Sequence, residues 1–415
     1  MLNRKFTTFN SRTNHSRAVR HKQKKPMRKR KIILGIILLL TSYIFYWTFE
    51  PFSLNPFSDK PISLSKSENN LICNELNLFT IKADSTINSA INKNEFLGIS
   101  TGVYSENCGN WLSSAGFLNK RNQEKPNQFS KFRIASISKP MTAVAILQLY
   151  ENGVIDLDKP IQNYLPEFPK KEKGDITVRQ LLNHTSGVSN YKSDFESVHF
   201  THYPNSIKAL DEFKDRELDF EPGSTFIYTS YGYTLLGAII EKVTGKSYQN
   251  YMQKNIWEPS KMTHTDIEDS NLDYENKSDV YIKMGNTFYR IPQNDLSHTY
   301  SGGGVQSTAE DMLKFGKAIL DYQLINPKTT ELMIHLTDTV SKEKEYTNGW
   351  FNWITPKYGK VIEHNGKQVG CSSFFRIFID EKIVVTTLAN NMNSREEVRN
   401  LSIELSYLLL EMEND

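Results

Sequence analysis

The pattern of apolar and polar residues divides the chain into an apolar run near its start, a polar stretch and a long globular remainder. Eighteen uncharged residues, mostly aliphatic or aromatic, occupy 32–49. As a transmembrane helix they would span about 27 Å, close to the thickness of a bilayer core. Residues 50–74 carry three prolines among serine and asparagine, which predicts an extended stalk. The pattern of the remainder, 75–415, predicts a folded domain.

Within this domain, strand patterns lie near both ends and helical patterns lie mostly between them. The predicted strands are 96–104, 111–117, 360–363, 371–379 and 383–389. The predicted helices are 76–93, 142–152, 178–182, 233–243 and 395–412, with a further helix opened by a capping box of Ser307 and Glu310. This order favours an α+β fold, in which both ends of the chain complete one sheet and a helical insertion covers roughly 140–300.

The charge of the chain is concentrated at its start. Residues 1–49 contain twelve Lys or Arg and no Asp or Glu, so the formal net charge of +3 leaves −9 for 50–415. An acidic globular part gives no reason to expect nucleic-acid binding. The positive-inside rule places the basic segment 1–31 in the cytoplasm and the domain outside it. The alternatives are a cleaved signal peptide and a mitochondrial presequence before an inner-membrane anchor, with the domain facing the intermembrane space.

The three cysteines are too few for a disulfide scaffold and lack the spacing of a zinc site, so no metal or cofactor is expected. If helix 76–93 returns directly into strand 96–104, Cys73 and Cys108 fall at the same end of these two antiparallel elements. We therefore predict a disulfide between them, which an exported domain permits. Cys371, on a predicted strand, is expected to stay reduced and packed.

The sharpest chemical signal is the first motif, Ser136-Ile137-Ser138-Lys139, which Pro140 places at the start of a helix. Ser136 and Lys139 are three residues apart and share a helix face. The positive end of the helix would stabilise an alkoxide and lower the lysine pKa. Ser138 is interpreted as a first-turn residue. Because S-x-x-K is common by chance, this motif needs support from the rest of the chain.

That support is a series of blocks that resemble the serine β-lactamase and penicillin-binding protein superfamily, in its class C-like branch. The blocks, which fall in the family's order, are Phe132–Pro140, Thr142–Asp158, Leu181–Gly187, Glu221–Gly223, Tyr228–Gly237, Gly302–Asp311 and His364–Gly366. The chain looks most like the mitochondrial serine β-lactamase-like proteins of animals and bacterial β-lactamase-related serine hydrolases. The resemblance covers roughly 76–412 and implies a β-lactamase/transpeptidase-like fold, with a central antiparallel sheet flanked by helices.

The resemblance also implies roles for individual residues. Ser136 would be the acylated nucleophile, Lys139 its base partner and Tyr228 a second base, for which a cation such as Lys139 must favour the phenolate. Backbone N–H groups of Ser136 and Lys367 would form the oxyanion hole. Gly366 would keep the strand open for the substrate.

Two positions depart from the family pattern. The second motif reads Tyr228-Thr229-Ser230 where the family has Tyr-x-Asn, so Ser230 is expected to hold Lys139 or a substrate amide less firmly. The third motif begins with His364 instead of lysine, and a neutral histidine puts recognition of a penicillin-type carboxylate in doubt. The histidine form resembles D-peptidase and esterase relatives. The Lys367 side chain is an alternative source of charge but is expected to be solvated.

Two other features are interpreted as structural. His184, in the Leu181–Gly187 block, is expected to order a loop near the cleft and not to transfer protons. The glycines Gly302–Gly304 are expected to permit backbone packing beside the site and not to cradle phosphate.

The expected function is that of a membrane-anchored serine hydrolase that forms an acyl-enzyme with a small peptide, amide or ester substrate. Alternatives are a true β-lactamase or penicillin-binding carboxypeptidase, and a non-catalytic scaffold with the same fold. The intact set of Ser136, Lys139 and Tyr228 argues against a scaffold, which needs none of the three. No nucleic-acid partner is expected.

Overall fold

The computed structural model describes residues 27–49, 65–69, 76–193, 196–335, 340 and 345–414. The chain divides into two units, Met1–Trp47 and Thr48–Asp415. The first unit contains nearly all of helix α1 (Met27–Phe49), whose 23 residues correspond to a length of about 35 Å. Its stretch Arg30–Thr48 is long and apolar enough to cross a membrane, a test that signal sequences also pass. The helix starts five residues before the predicted span and includes part of the basic segment.

The second unit contains the sheet and the helices around it. Its helices are α2 (Leu76–Asn92), α3 (Ser138–Glu151), α4 (Val178–Leu182), α5 (Ser206–Ala209), α6 (Ser230–Thr244), α7 (Tyr248–Met252), α8 (Tyr300–Gly303), α9 (Ala309–Leu320), α10 (Pro327–Ile334) and α11 (Arg395–Asn414). Its strands are β1 (Ser65–Asn69), β2 (Gly98–Ser105), β3 (Gly109–Gly116), β4 (Phe132–Arg133), β5 (Asp266–Ile267), β6 (Tyr281–Met284), β7 (Thr287–Arg290), β8 (Val305–Ser307), β9 (Tyr346–Thr347), β10 (Trp350–Thr355), β11 (Gly359–Gln368), β12 (Cys371–Phe378), β13 (Ile383–Ala389) and β14 (Asn391–Met392).

Eight strands form the central sheet in the order β1-β3-β2-β13-β12-β11-β10-β9. Every neighbouring pair is antiparallel. The register places Thr386 of β13 opposite Gly102 of β2, so a strand from the end of the chain pairs with one from the start of the domain. This arrangement confirms the predicted α+β class and the sheet completed by both ends of the chain.

Helices cover both faces of this sheet. On one face, α2 and α11 bury residues such as Phe79 and Leu405 against Ile99 and Val385. On the other face, α3, α6 and α9 share a larger core with the sheet, which includes Val144 and Phe375. The predicted helical insertion, 140–300, contains α4–α7 and also the short strands β5, β6 and β7. The first motif therefore lies where the sheet meets the larger helical core.

Several elements differ from the sequence prediction at their ends. Residues 65–69, assigned to the stalk, instead form edge strand β1 on β3. Strand β11 continues beyond 363 to Gln368 and so carries the third motif. The capping box predicted at Ser307 is wrong by one residue, because Ser307 ends β8 and Thr308 caps α9 by accepting the Asp311 N–H at 3.1 Å. The remainder of the stalk lies outside the described residues.

The cysteines agree with the prediction as far as the structure describes them. Cys108 is disulfide-bonded. Cys371 is free and buried on β12, which confirms its expected state. Cys73 lies outside the described residues, so its pairing with Cys108 stays a prediction.

Candidate active site

Ser136 lies in a tight turn between β4 and α3. The turn Ala135–Ile137 is a single 3-10 helix that leads directly into Ser138, the first residue of α3. Ala135 has a positive φ of 48°, a conformation that costs a non-glycine residue about 1–2 kcal/mol. Ser136 is half-buried, so its hydroxyl can meet a substrate. Ser138 is buried and donates its hydroxyl to the Ala135 carbonyl at 2.7 Å, as expected of a first-turn residue.

Lys139 is fully buried beneath Ser136. Its Nζ lies 3.2 Å from Ser136 Oγ, 3.3 Å from Ser230 Oγ and 2.6 Å from the Gly302 carbonyl oxygen. Burial lowers the pKa of the Lys139 ammonium to about 7, which confirms the predicted direction but assigns it to desolvation. A neutral amine has two N–H donors and one lone pair, so it can donate to Gly302 and Ser230 while it accepts from Ser136.

The phenol of Tyr228 completes a group of three side chains. Its ring centroid lies 4.8 Å from Lys139 Nζ, and its hydroxyl is hydrogen-bonded to Ser136. The predicted phenolate is not supported, because burial raises the pKa of Tyr228 well above its usual range. The bond to Ser136 opposes this shift only partly. Tyr228 is therefore a neutral phenol in the free protein and has a proton to give.

Ser230 is the first residue of α6, which begins three residues earlier than predicted. Its backbone N–H donates to Asn190 Oδ1 at 3.0 Å, and its hydroxyl is hydrogen-bonded to Tyr191. Burial raises the pKa of Tyr191 to about 12, so this hydroxyl is neutral as well. Ser230 thus contacts Lys139 with support from two neighbours that sequence reasoning did not identify.

The third motif lies on the part of β11 that extends beyond its pairing with β10. Strand β10 pairs with β11 only as far as Glu363, and His364–Gln368 continue without it beside the turn of Ser136. A Cβ at Gly366 would lie 2.3 Å from the Ile134 carbonyl oxygen and 2.2 Å from Ser373 Oγ. Gly366 is therefore required by close packing against the nucleophile turn, and its contact with the substrate stays a prediction. The side chain of Lys367 is exposed, as expected.

His364 does not carry a positive charge in the site. It is buried, and desolvation together with the nearby Lys139 charge lowers its pKa to about 3. Its Nδ1 lies 2.7 Å from the Asn365 carbonyl oxygen, and its Nε2 lies 3.4 Å from the Tyr346 hydroxyl. Of the two roles open to this residue, the structure favours neutral hydrogen bonding.

His184 orders the loop in front of the second motif, as expected. Its Nδ1 accepts the Thr229 N–H at 3.2 Å, and its carbonyl oxygen accepts the Ile227 N–H at 3.0 Å. Its ring packs on Tyr228 with the centroids 4.2 Å apart. Burial lowers the pKa of His184 well below its usual range. The uncharged His184 ring therefore serves as a packing surface for the Tyr228 ring.

Besides Asn190 and Tyr191, sequence reasoning missed three contributors to this site. Gly302, interpreted as a packing residue, supplies a carbonyl that accepts from Lys139. Tyr346 lies between His184 and His364. Arg395, the first residue of α11, opposes ionisation of His364 and favours ionisation of Tyr228 through its charge, although burial outweighs it for Tyr228. The sequence carries no local signal for these contacts, which join distant segments.

Among the described residues, no group of three or more His, Cys, Asp or Glu side chains could hold a metal ion. The chemistry that Ser136, Lys139 and Tyr228 can perform is nucleophilic attack with proton transfer between neutral groups.

A neutral His364 predicts that substrate affinity is independent of its titration. The KM of a carboxylate-bearing substrate should stay level from about pH 5 to pH 8, because the imidazole is uncharged throughout this range. A KM that increases through a pKa between these limits in the wild type, and becomes level in His364→Lys, would contradict the prediction.

Comparison with known proteins agrees with this geometry. The family model described as Beta-lactamase matches residues 83–407. The chain is 29% identical over 393 residues to the human serine beta-lactamase-like protein LACTB, mitochondrial, covering 72% of this chain and 71% of that protein. It is 32% identical over 271 residues to the teichoic acid D-alanine hydrolase of Staphylococcus aureus, covering 65% and 64% respectively.

Comparison with a solved structure supports the same family. The chain is similar to a D-stereospecific amidohydrolase from Streptomyces sp., with a TM-score of 0.64 and 25% sequence identity. The match covers 75% of this chain and 94% of that structure. The similarity therefore extends over most of the sheet domain.

Proposed function

Because the chain belongs to the Beta-lactamase family of serine hydrolases, we propose that it hydrolyses amides or esters of D-amino acids through an acyl-enzyme. Ser136 is the nucleophile, Lys139 the base and Tyr228 the proton donor in this proposal. A single observation carries it: the fully buried Lys139 amine lies 3.2 Å from Ser136 Oγ and has its pKa lowered to about 7.

Acylation begins with the neutral form of Lys139. The amine lone pair takes the hydroxyl proton of Ser136 as Oγ bonds to the substrate carbonyl carbon. The resulting oxyanion is held by the backbone N–H groups of Ser136 and Lys367, each of which would contribute about 3 kcal/mol. Lys139 becomes an ammonium that still donates to the Gly302 carbonyl oxygen, so its new charge has a fixed acceptor.

Tyr228 then protonates the leaving group. Its phenol is neutral and bonded to Ser136, so a proton is present beside the bond that breaks. The leaving amine or alcohol departs with that proton, and Tyr228 recovers one from the Lys139 ammonium. Deacylation repeats these transfers with water as the nucleophile and returns a proton to Ser136.

The choice of substrate rests on the third motif and on the relatives. A neutral His364 places no positive charge where a lysine would hold a penicillin-type carboxylate, which favours small amides and esters over β-lactams. The similar Staphylococcus aureus protein is named a teichoic acid D-alanine hydrolase, and the similar Streptomyces structure a D-stereospecific amidohydrolase. Both names support a D-amino acid on the acyl side.

The full-length protein in detergent tests this proposal with four probes: D-alanyl and L-alanyl p-nitroanilides, a D-alanyl ester and a chromogenic cephalosporin. We expect turnover of the D-alanyl compounds, little turnover of the L-alanyl compound and no turnover by Ser136→Ala. Preferred turnover of the cephalosporin would instead support a β-lactamase. Failure to turn over any probe, together with no covalent labelling of Ser136, would support the scaffold alternative.

Tyr228→Phe should slow the reaction without unfolding the protein. The change removes the proton donor but keeps the ring that packs on His184, so we expect turnover to fall about 10²–10⁴-fold. If deacylation suffers more than acylation, intact mass spectrometry will show a longer-lived adduct. Tyr231→Phe is the matched control, because the buried Tyr231 hydroxyl has no hydrogen-bond partner among the residues that the structure describes. Equal losses in both variants would remove the role of Tyr228.

We also propose that α1 anchors the protein with residues 1–31 in the cytoplasm and the catalytic domain on the other side. The concentration of Lys and Arg before an apolar helix supports this orientation. Protease added to right-side-out vesicles should degrade the domain, and intact mass should show that residues 1–49 are retained. Protection of the domain would reverse the orientation, and loss of residues 1–49 would indicate a cleaved signal peptide.

A further inference from the structure

A buried chain of hydrogen bonds connects the second motif with the third. The Thr229 N–H donates to His184 Nδ1 at 3.2 Å, and His184 Nε2 lies 3.2 Å from the Tyr346 hydroxyl. That hydroxyl lies 3.4 Å from His364 Nε2, and His364 Nδ1 lies 2.7 Å from the Asn365 carbonyl oxygen. We call His184, Tyr346 and His364 the His–Tyr–His chain. All three side chains are buried.

The backbone groups at the two ends determine where the ring protons are. A backbone N–H can only donate, so His184 Nδ1 is unprotonated and its Nε2 carries the hydrogen. A backbone carbonyl can only accept, so His364 Nδ1 carries the hydrogen and its Nε2 is an acceptor. The His184 ring therefore offers a donor to the Tyr346 hydroxyl, and the His364 ring offers an acceptor. The Tyr346 hydroxyl, which can accept and donate at once, satisfies both.

The His–Tyr–His chain is uncharged at neutral pH. Burial lowers the pKa of His184 well below its usual range and that of His364 to about 3, and the nearby Lys139 charge acts in the same direction. Burial also raises the pKa of the Tyr346 hydroxyl well above its usual range. The Tyr233 hydroxyl, which donates to the Leu182 carbonyl oxygen at 2.9 Å, is also hydrogen-bonded to Tyr346, so His364 and Tyr233 share the single Tyr346 hydroxyl proton. The two backbone groups therefore fix the ring tautomers, His184 donates to Tyr346, and the His–Tyr–His chain carries no charge.

Each end of the chain contacts part of the reaction site. His184 packs on the Tyr228 ring at 4.2 Å, so the orientation of His184 sets that of the phenol. His364 precedes Asn365 and Gly366 on β11, where Gly366 packs against the nucleophile turn. One hydroxyl on the edge strand β9 thus lies between the proton donor and the strand that carries the third motif.

We propose that Tyr346 is a positioning residue that locks the Tyr228 ring and the third-motif strand in a single arrangement through its two histidine neighbours. The inference rests on the proposed acyl-enzyme reaction for its effect on rate, and on geometry alone for its hydrogen-bond directions. It adds to the three reacting side chains a residue that touches no substrate.

The hydrogen-bond directions can be measured without turnover. Long-range ¹⁵N–¹H correlation spectra of the histidine-labelled full-length protein in detergent should show His184 protonated at Nε2 and His364 at Nδ1, both neutral at pH 7. Assignment uses His184→Asn and His364→Asn. An imidazolium, or the opposite tautomer at either ring, would overturn the inference.

Kinetics of Tyr346→Phe test the effect on rate. The variant keeps the ring and loses only the hydroxyl, so kcat should fall about 10²-fold, the cost of a misplacement near 1 Å, while KM is unchanged. The double variant with His184→Phe should lose less than the sum of the single losses in activation free energy, because both act through one network. Tyr281→Phe, another buried tyrosine whose oxygen accepts the Lys120 N–H at 2.9 Å, should lower the melting temperature but not kcat.

Two results would overturn the role of Tyr346: a wild-type kcat in Tyr346→Phe, or additive losses in the double variant. These are distinct from failure of the proposed function. If the tautomers are as inferred but a fluorophosphonate does not label Ser136, the proposed reaction is wrong, and the role of Tyr346 in that reaction is overturned too. If Ser136 is labelled but the tautomers are the opposite ones, only the His–Tyr–His chain is overturned.

Discussion

Ser136→Ala should abolish covalent labelling by a fluorophosphonate and lower turnover by about 10⁴-fold or more, as loss of the nucleophile does in other serine hydrolases. Ser136 is half-buried in the turn before α3, and its Oγ lies within hydrogen-bonding distance of the buried Lys139 amine. Intact mass and peptide mapping of the full-length protein measure the labelling, and release from a D-alanyl ester measures the turnover.

Ser138→Ala is the matched control for this prediction. Ser138 lies two residues away, but its hydroxyl donates to the Ala135 carbonyl and accepts the Val305 N–H at 3.3 Å inside the protein. Its loss should lower the melting temperature and leave labelling of Ser136 intact. A label on Ser138, or near-normal turnover by Ser136→Ala, would show that the reaction centre is assigned to the wrong serine.

Lys139 variants should lose nearly as much activity, because proton removal and attack act as one unit. Since the neutral amine is the active form and its pKa is lowered to about 7, kcat/KM should rise about tenfold per pH unit below that value and level off above it. Lys139→Arg keeps a cation that does not deprotonate in proteins, so it should remain inactive at every pH tested.

Lys277→Met is the matched control for the lysine. Lys277 is also largely buried and its pKa is also lowered by burial, but it pairs with Glu268 at 3.1 Å away from Ser136. The variant should change stability and keep the wild-type pH profile. Substantial activity in Lys139→Arg would mean that Lys139 acts through its charge, and the assignment of a general base would then be wrong.

Local patterns predicted most of the long elements of the fold. Alternation and apolar runs identified β12 and β13 almost to the residue, and the spacing of apolar residues identified α2 and α11. The errors lie at the ends of elements and in elements that were not predicted, such as strands β9 and β10. Strand β11 continues through the polar His364–Gln368 because Gly366 can approach the nucleophile turn closely, and such packing is invisible to a periodicity argument.

The same limit applies to the candidate site. The sequence named Ser136, Lys139 and Tyr228 through their motifs, and the structure brings them together. Asn190 and Tyr191 were missed because they act through Ser230, some forty residues further along the chain. The expected phenolate of Tyr228 also failed, because the energy of a charge depends on its burial, which a motif does not report.

The sequence by itself determined the family, the order of the elements and the serine, lysine and tyrosine available for the reaction, since these follow from residue types and their spacing along the chain. Only the tertiary structure decided the protonation states, because desolvation and hydrogen bonds set them. It brings the Gly302 carbonyl, 163 residues away in the chain, to 2.6 Å from the Lys139 amine. It likewise places Tyr346 between two histidines from separate segments, which turns three neutral side chains into one directed network.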